Sequence, residues 1–203
     1  MITNKSFDTR KLVLLAILTT IVVVLQILAS YIPIYPFRLN LVLIPIVIGA
    51  ALISPFAGAW LGFVFGFVVL VAPLFTPDQT ILPFMALNPA ATIIVILARG
   101  ILFGFAAGFV YKLFSERNVT VAVISAAVVA PIVNTGIFIL GLYLFFIPIV
   151  MELGEFFGYA DSASIIFLGM IGINFPLEFG VNLVLSPTIV RLIQYGQERK
   201  QVS

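Results

Sequence analysis

Cysteine and histidine are both missing from the 203 residues. Without them there are no disulfides, no usual zinc ligands, no thiol nucleophile and no imidazole base. Charge is scarce as well: Asp, Glu, Lys and Arg make up 9% of the chain, against about 25% in an ordinary soluble domain. No soluble domain fits between the apolar runs. A phosphate-binding G-x4-G-K-[ST] loop is absent too, so the chain cannot drive transport with ATP alone. Intramembrane proteolysis would need Ser with His or Lys, or two acids at matched depth, and neither occurs in the apolar segments. No internal repeat of the kind that builds a channel is visible. Neither a metal nor a cofactor is expected.

What the chain does have is hydrocarbon. Hydrophobic residues make up 63% of it, and the mean hydropathy is +1.27. These values define an all-α integral membrane protein, read as one membrane domain over residues 1–203. The apolar runs predict a six-transmembrane-helix bundle with helices near 11–32, 41–53, 56–72, 90–113, 119–147 and 162–193. The first run is too long for a signal-peptide core and is expected to be retained. The second is short for about 30 Å of hydrocarbon, which predicts tilt or partial unwinding. Lys5, Arg10, Lys11, Lys112, Arg117, Arg191, Arg199 and Lys200 would all fall on one side, with only Arg38 in an opposite loop. That bias predicts N-in and C-in. Trp60, Tyr111 and Tyr195 then read as an aromatic belt at the inner interface.

Against this background the polar residues stand out. Asn174, Glu178 and Asn182 are spaced i, i+4 and i+8, so they share an arc of roughly 80° on one helix face. Such a stripe costs several kcal/mol in hydrocarbon unless it faces protein, water or a ligand. Arg99 is costlier still, at least about 2.5 to 3.5 kcal/mol near the bilayer centre. It has two readings: an ion pair with Glu178, or capture of an anionic group on a substrate. Pro131 sits inside the fifth run and Asn134 follows it, which predicts a kink beside an amide. Asn134 could bond to Thr135 or Asn174, or line a cavity. Asn88-Pro89 suits a helix start. Gly58, Gly62 and Gly66, and again Gly100, Gly104 and Gly108, recur every four residues. They predict close backbone packing, within the bundle or against another subunit. Residues 32–40 form a proline-stiffened loop that carries aromatic and cationic side chains.

Taken together, several segments resemble the substrate-binding S component of energy-coupling-factor (ECF) vitamin transporters. They are the small residues on the first helix, Ala130-Pro131-Ile132-Val133-Asn134-Thr135-Gly136, and Asn174-Phe175-Pro176-Leu177-Glu178 followed by Asn182. The resemblance covers essentially the whole chain and looks most like the pantothenate branch. It implies a subunit of the bacterial cytoplasmic membrane that binds a water-soluble vitamin. Its partners would be a transmembrane coupling protein (the T component), two cytoplasmic ATPase subunits and the lipid bilayer, with no nucleic acid. The subunit would not be an enzyme. Mapped onto this sequence, residues 35–40 would close over the ligand, with Tyr35, Phe37, Arg38 and Asn40 facing it. Asn88, Arg99, Asn134 and Asn174 would complete the pocket, with Glu178 and Asn182 as structural polar groups below. The family's first helix commonly carries an Ala-x3-Ala docking motif for the coupling subunit; here the positions are Ala16 and Thr20. A carboxylate-bearing cargo suits Arg99. Riboflavin, a pyrimidine or pyridoxine vitamin, folate and cobalamin are the alternatives, and outside this class stand a membrane scaffold and a self-sufficient secondary transporter.

Overall fold

The computed structural model describes residues 9–31, 41–76, 81–157 and 174–201, and among them every regular element is helical. The helices are α1 (Thr9–Tyr31), α2 (Leu43–Leu52), α3 (Pro55–Val71), α4 (Leu82–Leu87), α5 (Pro89–Ser115), α6 (Val119–Phe145), α7 (Ile147–Phe157) and α8 (Asn174–Gln201), with a 3-10 turn at Ala72–Leu74. Four are long and apolar enough to cross a membrane: Thr9–Tyr31, Pro55–Leu74, Pro89–Ser115 and Val119–Phe145. Loop residues Tyr35, Phe37, Arg38 and Asn40 lie outside the described set, as do the side chains of Asn174, Glu178 and Asn182.

Side-chain caps mark where three of the long helices begin. Ser54 Oγ accepts from Ala57 N at 3.1 Å, and Asn88 Oδ1 accepts from Ala91 N at 3.0 Å, each followed by proline in the first helical turn. Asn118 Oδ1 accepts from Thr120 N at 2.8 Å and Val121 N at 3.2 Å. Each cap satisfies amides that the helix itself leaves open, worth about 1 kcal/mol.

The tightest interface runs between α3 and α5. A Cβ added at Gly62 would strike the carbonyl of Gly100, and one at Gly58 the carbonyl of Gly104; the reverse additions meet Gly62 O and Gly58 O. The two glycine stripes therefore pack backbone to backbone inside the bundle. In lipid, where apolar surface gains nothing by leaving its solvent, this dispersion contact supplies association.

Around that pair the short helix α2 is almost wholly enclosed. Leu43, Ile46 and Val47 are fully buried, and α2 touches α1, α3, α5, α6 and α8. It is apolar on every side because every side meets protein. Its ten residues span about 15 Å, half a membrane. Between Leu43 and Leu52 the expected partial unwinding is absent and the helix is continuous, with Pro45 in its first turn, where no N–H is needed.

Helix α1 is peripheral: 11% of its apolar window is buried, against 33–39% in the other three long spans. Leu18 and Val22 face the core, and two polar ties hold it. Trp60 Nε1 donates to Thr19 Oγ1 at 3.3 Å, and Tyr31 Oη donates to the carbonyl of Phe75 at 3.0 Å. Trp60 is half exposed, as an interfacial indole would be, whereas Tyr111 is a core residue packed with Phe103 and Ala107. The belt reading therefore fails for Tyr111: its ring lies on the inward face of α5.

One further expectation changes. Helix α8 continues to Gln201 instead of giving way to a tail after residue 193, because the Gln, Glu, Arg and Lys residues there are good helix formers. Helix α6 runs through Pro131 as one continuous helix. At the end of the bundle opposite Arg10 and Lys11, α4 and α7 pack on the ends of α5 and α6 through Ala91, Val95, Leu142, Phe146 and Val150, with Phe84 edge-on to Phe146 at 5.2 Å.

The glycine contacts yield a paired prediction. Gly62→Ala forces α3 from α5 and should cost about 1 to 3 kcal/mol. Gly136→Ala, on α6, where a Cβ meets nothing within 4 Å, should be neutral or stabilise by up to about 1 kcal/mol. Thermal unfolding in detergent measures both, and equal shifts would contradict the packing described.

Candidate functional site

Arg99 sits ten residues into α5, about 15 Å from the start of that helix, and so near mid-bilayer if α5 stands upright. Its guanidinium carbon lies 5.8 Å from the ring centre of Phe65 on α3 and 5.5 Å from that of Phe138 on α6. Two aromatic faces from two helices thus flank one cation. Each ring offers negative quadrupole density to the guanidinium, an interaction worth up to about 2 kcal/mol where water is excluded. Phe65 also stands edge-on to Phe103, centre to centre 5.9 Å. Phe103 lies one turn beyond Arg99 on α5 and is fully buried.

Asn134 lies one turn before Phe138 on α6. It is 7% exposed, and its Oδ1 finds no hydrogen-bond partner among the described residues. Of the two expected partners, Thr135 makes no bond to that oxygen, and the side chain of Asn174 lies outside the described residues. A buried amide oxygen left open costs about 1 to 3 kcal/mol, a penalty that a bound ligand or water would remove. Gly141 of α6 approaches Val95 of α5, which sets the antiparallel register of the pair. Arg99 and Asn134 then lie roughly one helical turn apart along neighbouring helices.

The remaining expected residues divide clearly. Asn88 serves the start of α5: its Oδ1 caps that helix, and its carbonyl accepts from Thr92 Oγ1 at 2.8 Å. Ala16 and Thr20 are exposed on α1. Thr20 Oγ1 donates to the carbonyl of Ala16 at 3.0 Å, which satisfies the hydroxyl internally. For α8, residues lining a groove beside Thr120 and Ile124 include Val190 and Gln194. Counting back along antiparallel helices brings position 178 about level with 134, and position 174 about level with 138.

Phe65 and Phe138 escape a reading of the sequence alone. Each is one phenylalanine among 20. Their only linear signal is that Phe138 follows Asn134 by one turn and Phe65 adjoins Gly66 of the stripe.

An apolar helical bundle holding one deeply placed arginine and an open amide defines a multi-pass membrane protein with a polar point in its interior. More particularly, the model of the substrate-specific component of ECF transporters matches residues 10–190. The chain belongs to that family. It is therefore a substrate-binding transport subunit of an ECF importer, not an enzyme. No curated protein and no solved structure matches it.

The ring clamp is open to measurement. A double-mutant cycle of Arg99→Met with Phe138→Leu, read from unfolding in mixed detergent, should give a coupling of about 0.5 to 2 kcal/mol. Strict additivity would rule the clamp out.

Proposed function

We propose that this subunit captures a carboxylate-bearing, water-soluble vitamin, with pantothenate favoured, for ATP-driven uptake. The observation that carries the reading is the Arg99 guanidinium between Phe65 and Phe138, one turn from the open Oδ1 of Asn134. The cation takes the carboxylate, and the amide meets a hydroxyl or amide N–H of the ligand. Asn174 joins them from α8, and residues 35–40, with Tyr35, Phe37, Arg38 and Asn40, close the site. Glu178 and Asn182 hold the bundle beneath it.

In this reading α2 and α8 join the four long spans to make six. Arg10, Lys11, Lys112, Arg117 and Arg191 mark one end of the bundle as cytoplasmic, with N-in and C-in. The bilayer is the bacterial cytoplasmic membrane. A T component and two ATPases supply the power stroke, docking on the exposed Ala16 and Thr20 face of α1.

A thermal-shift panel of water-soluble vitamins on the purified protein tests the cargo. Pantothenate should stabilise the protein, and its uncharged alcohol analogue should not. Arg99→Ala should weaken binding at least about tenfold, the loss of one charge-assisted hydrogen bond, while the protein still folds. Unchanged affinity would remove the carboxylate role. Glu178, level with Asn134, is the alternative counter-charge for Arg99; Glu178→Gln should leave vitamin binding intact under the present reading and collapse the fold if it neutralises the arginine.

Docking has a separate readout. Ala16→Trp should leave vitamin affinity unchanged yet prevent co-purification with the coupling subunit. A variant that assembles and transports normally would move the docking face elsewhere.

A further inference from the structure

A concavity of about 270 Å³ opens between α6 and α8, at the end of the bundle that carries Arg10, Lys11, Lys112, Arg117 and Arg191. Ile124, Pro187 and Val190 give it an apolar wall, with the buried Ser186 beside them; its mouth carries Thr120, Arg191 and Gln194. Pro187 has no N–H to give the carbonyl of Leu183 four residues back. Ser186 Oγ donates to that carbonyl at 2.7 Å, and Ser186 is itself 3% exposed. The helix defect is thus satisfied from within. Its flank can stay apolar.

The mouth has the opposite character. Arg191 is exposed, and among the described side chains the cations at this end, Arg10, Lys11, Lys112, Arg117 and Arg191, outnumber the one acid, Glu116. Asn118 already occupies the amides of Thr120 and Val121, so positive charge at the mouth comes from Arg191, with the Gln194 amide beside it. From Pro187 to Gln194 the lining passes from apolar to cationic over about 10 Å. That gradient follows the axis of a phospholipid, from acyl chain to phosphate. A freely diffusing phosphate shares the headgroup chemistry but leaves the apolar wall unused.

We propose that the groove between α6 and α8 seats one anionic phospholipid of the leaflet at the basic end. Its phosphate lies on Arg191 and Gln194, and one acyl chain runs along Ile124, Pro187 and Val190. This lipid is separate from the vitamin captured around Arg99 and does not depend on it.

Native mass spectrometry of the purified full chain in neutral detergent tests the site, with phosphatidylglycerol, phosphatidylcholine or inorganic phosphate added in turn. The protein should retain phosphatidylglycerol about fivefold over phosphatidylcholine, as one cation near an anionic headgroup provides, and should retain no phosphate. Arg191→Gln should bring the two lipids to parity, whereas Arg117→Gln, at the same end but outside the groove, should keep the preference. Ile124→Trp fills the apolar wall and leaves Arg191 in place; it should lower retention of both lipids. Equal retention by the unaltered protein, a preference that survives Arg191→Gln, or full retention in Ile124→Trp would overturn the proposal. Phosphate bound as firmly as the lipid would make the mouth an ion site and overturn it too.

Discussion

Backbone contact between α3 and α5 is the constraint on which the rest of this bundle depends. Gly58 and Gly62 lie directly on the carbonyls of Gly104 and Gly100, a separation no residue with a Cβ permits. Lipid offers helices no hydrophobic reason to associate, so contact of this closeness replaces the driving force that water would supply. Because the pair is so close, Phe65, one residue from the stripe, reaches over to α5. There it meets both Phe103 and the guanidinium of Arg99.

The same contact helps make room for an internal helix. Leu43, Ile46 and Val47 of α2 are fully enclosed, and five other helices share its surface. A ten-residue helix in that position is not a shortened span facing lipid. It acts as filler that lets five longer elements surround one axis. Around this core Arg99 and Asn134 lie with the rings of Phe65 and Phe138 on α3, α5 and α6, and Ala16 and Thr20 lie on the exposed face of α1.

How much of this was legible beforehand depends on whether a feature is local. Asn88, Ser54 and Asn118 announce helix starts because a cap involves residues two or three apart. The glycine stripes announce a close interface because the period of four is visible in a single strand of text. Arg99 and Asn134 are conspicuous because polar groups in hydrocarbon are costly wherever they fall. Tyr111 misled for the complementary reason: a tyrosine near a helix end looks interfacial until one knows which face of α5 meets the core. Helix α8 outran its apolar segment because propensity, and not hydropathy, governs a helix once it leaves the lipid.

The glycine period and the caps are already determined by the order of residues, as are the membrane class, the helical content and the cost of Arg99, since each rests on composition or on neighbours within a turn. Only the tertiary structure decided that α2 is internal and that Phe65 and Phe138 clamp Arg99. It alone left Asn134 Oδ1 without a partner among the described residues and set Arg191 at the mouth of a groove. Each of these depends on the register between helices distant in sequence, and a two-residue slip along either partner, about 3 Å and roughly 200° of rotation, would present a different face.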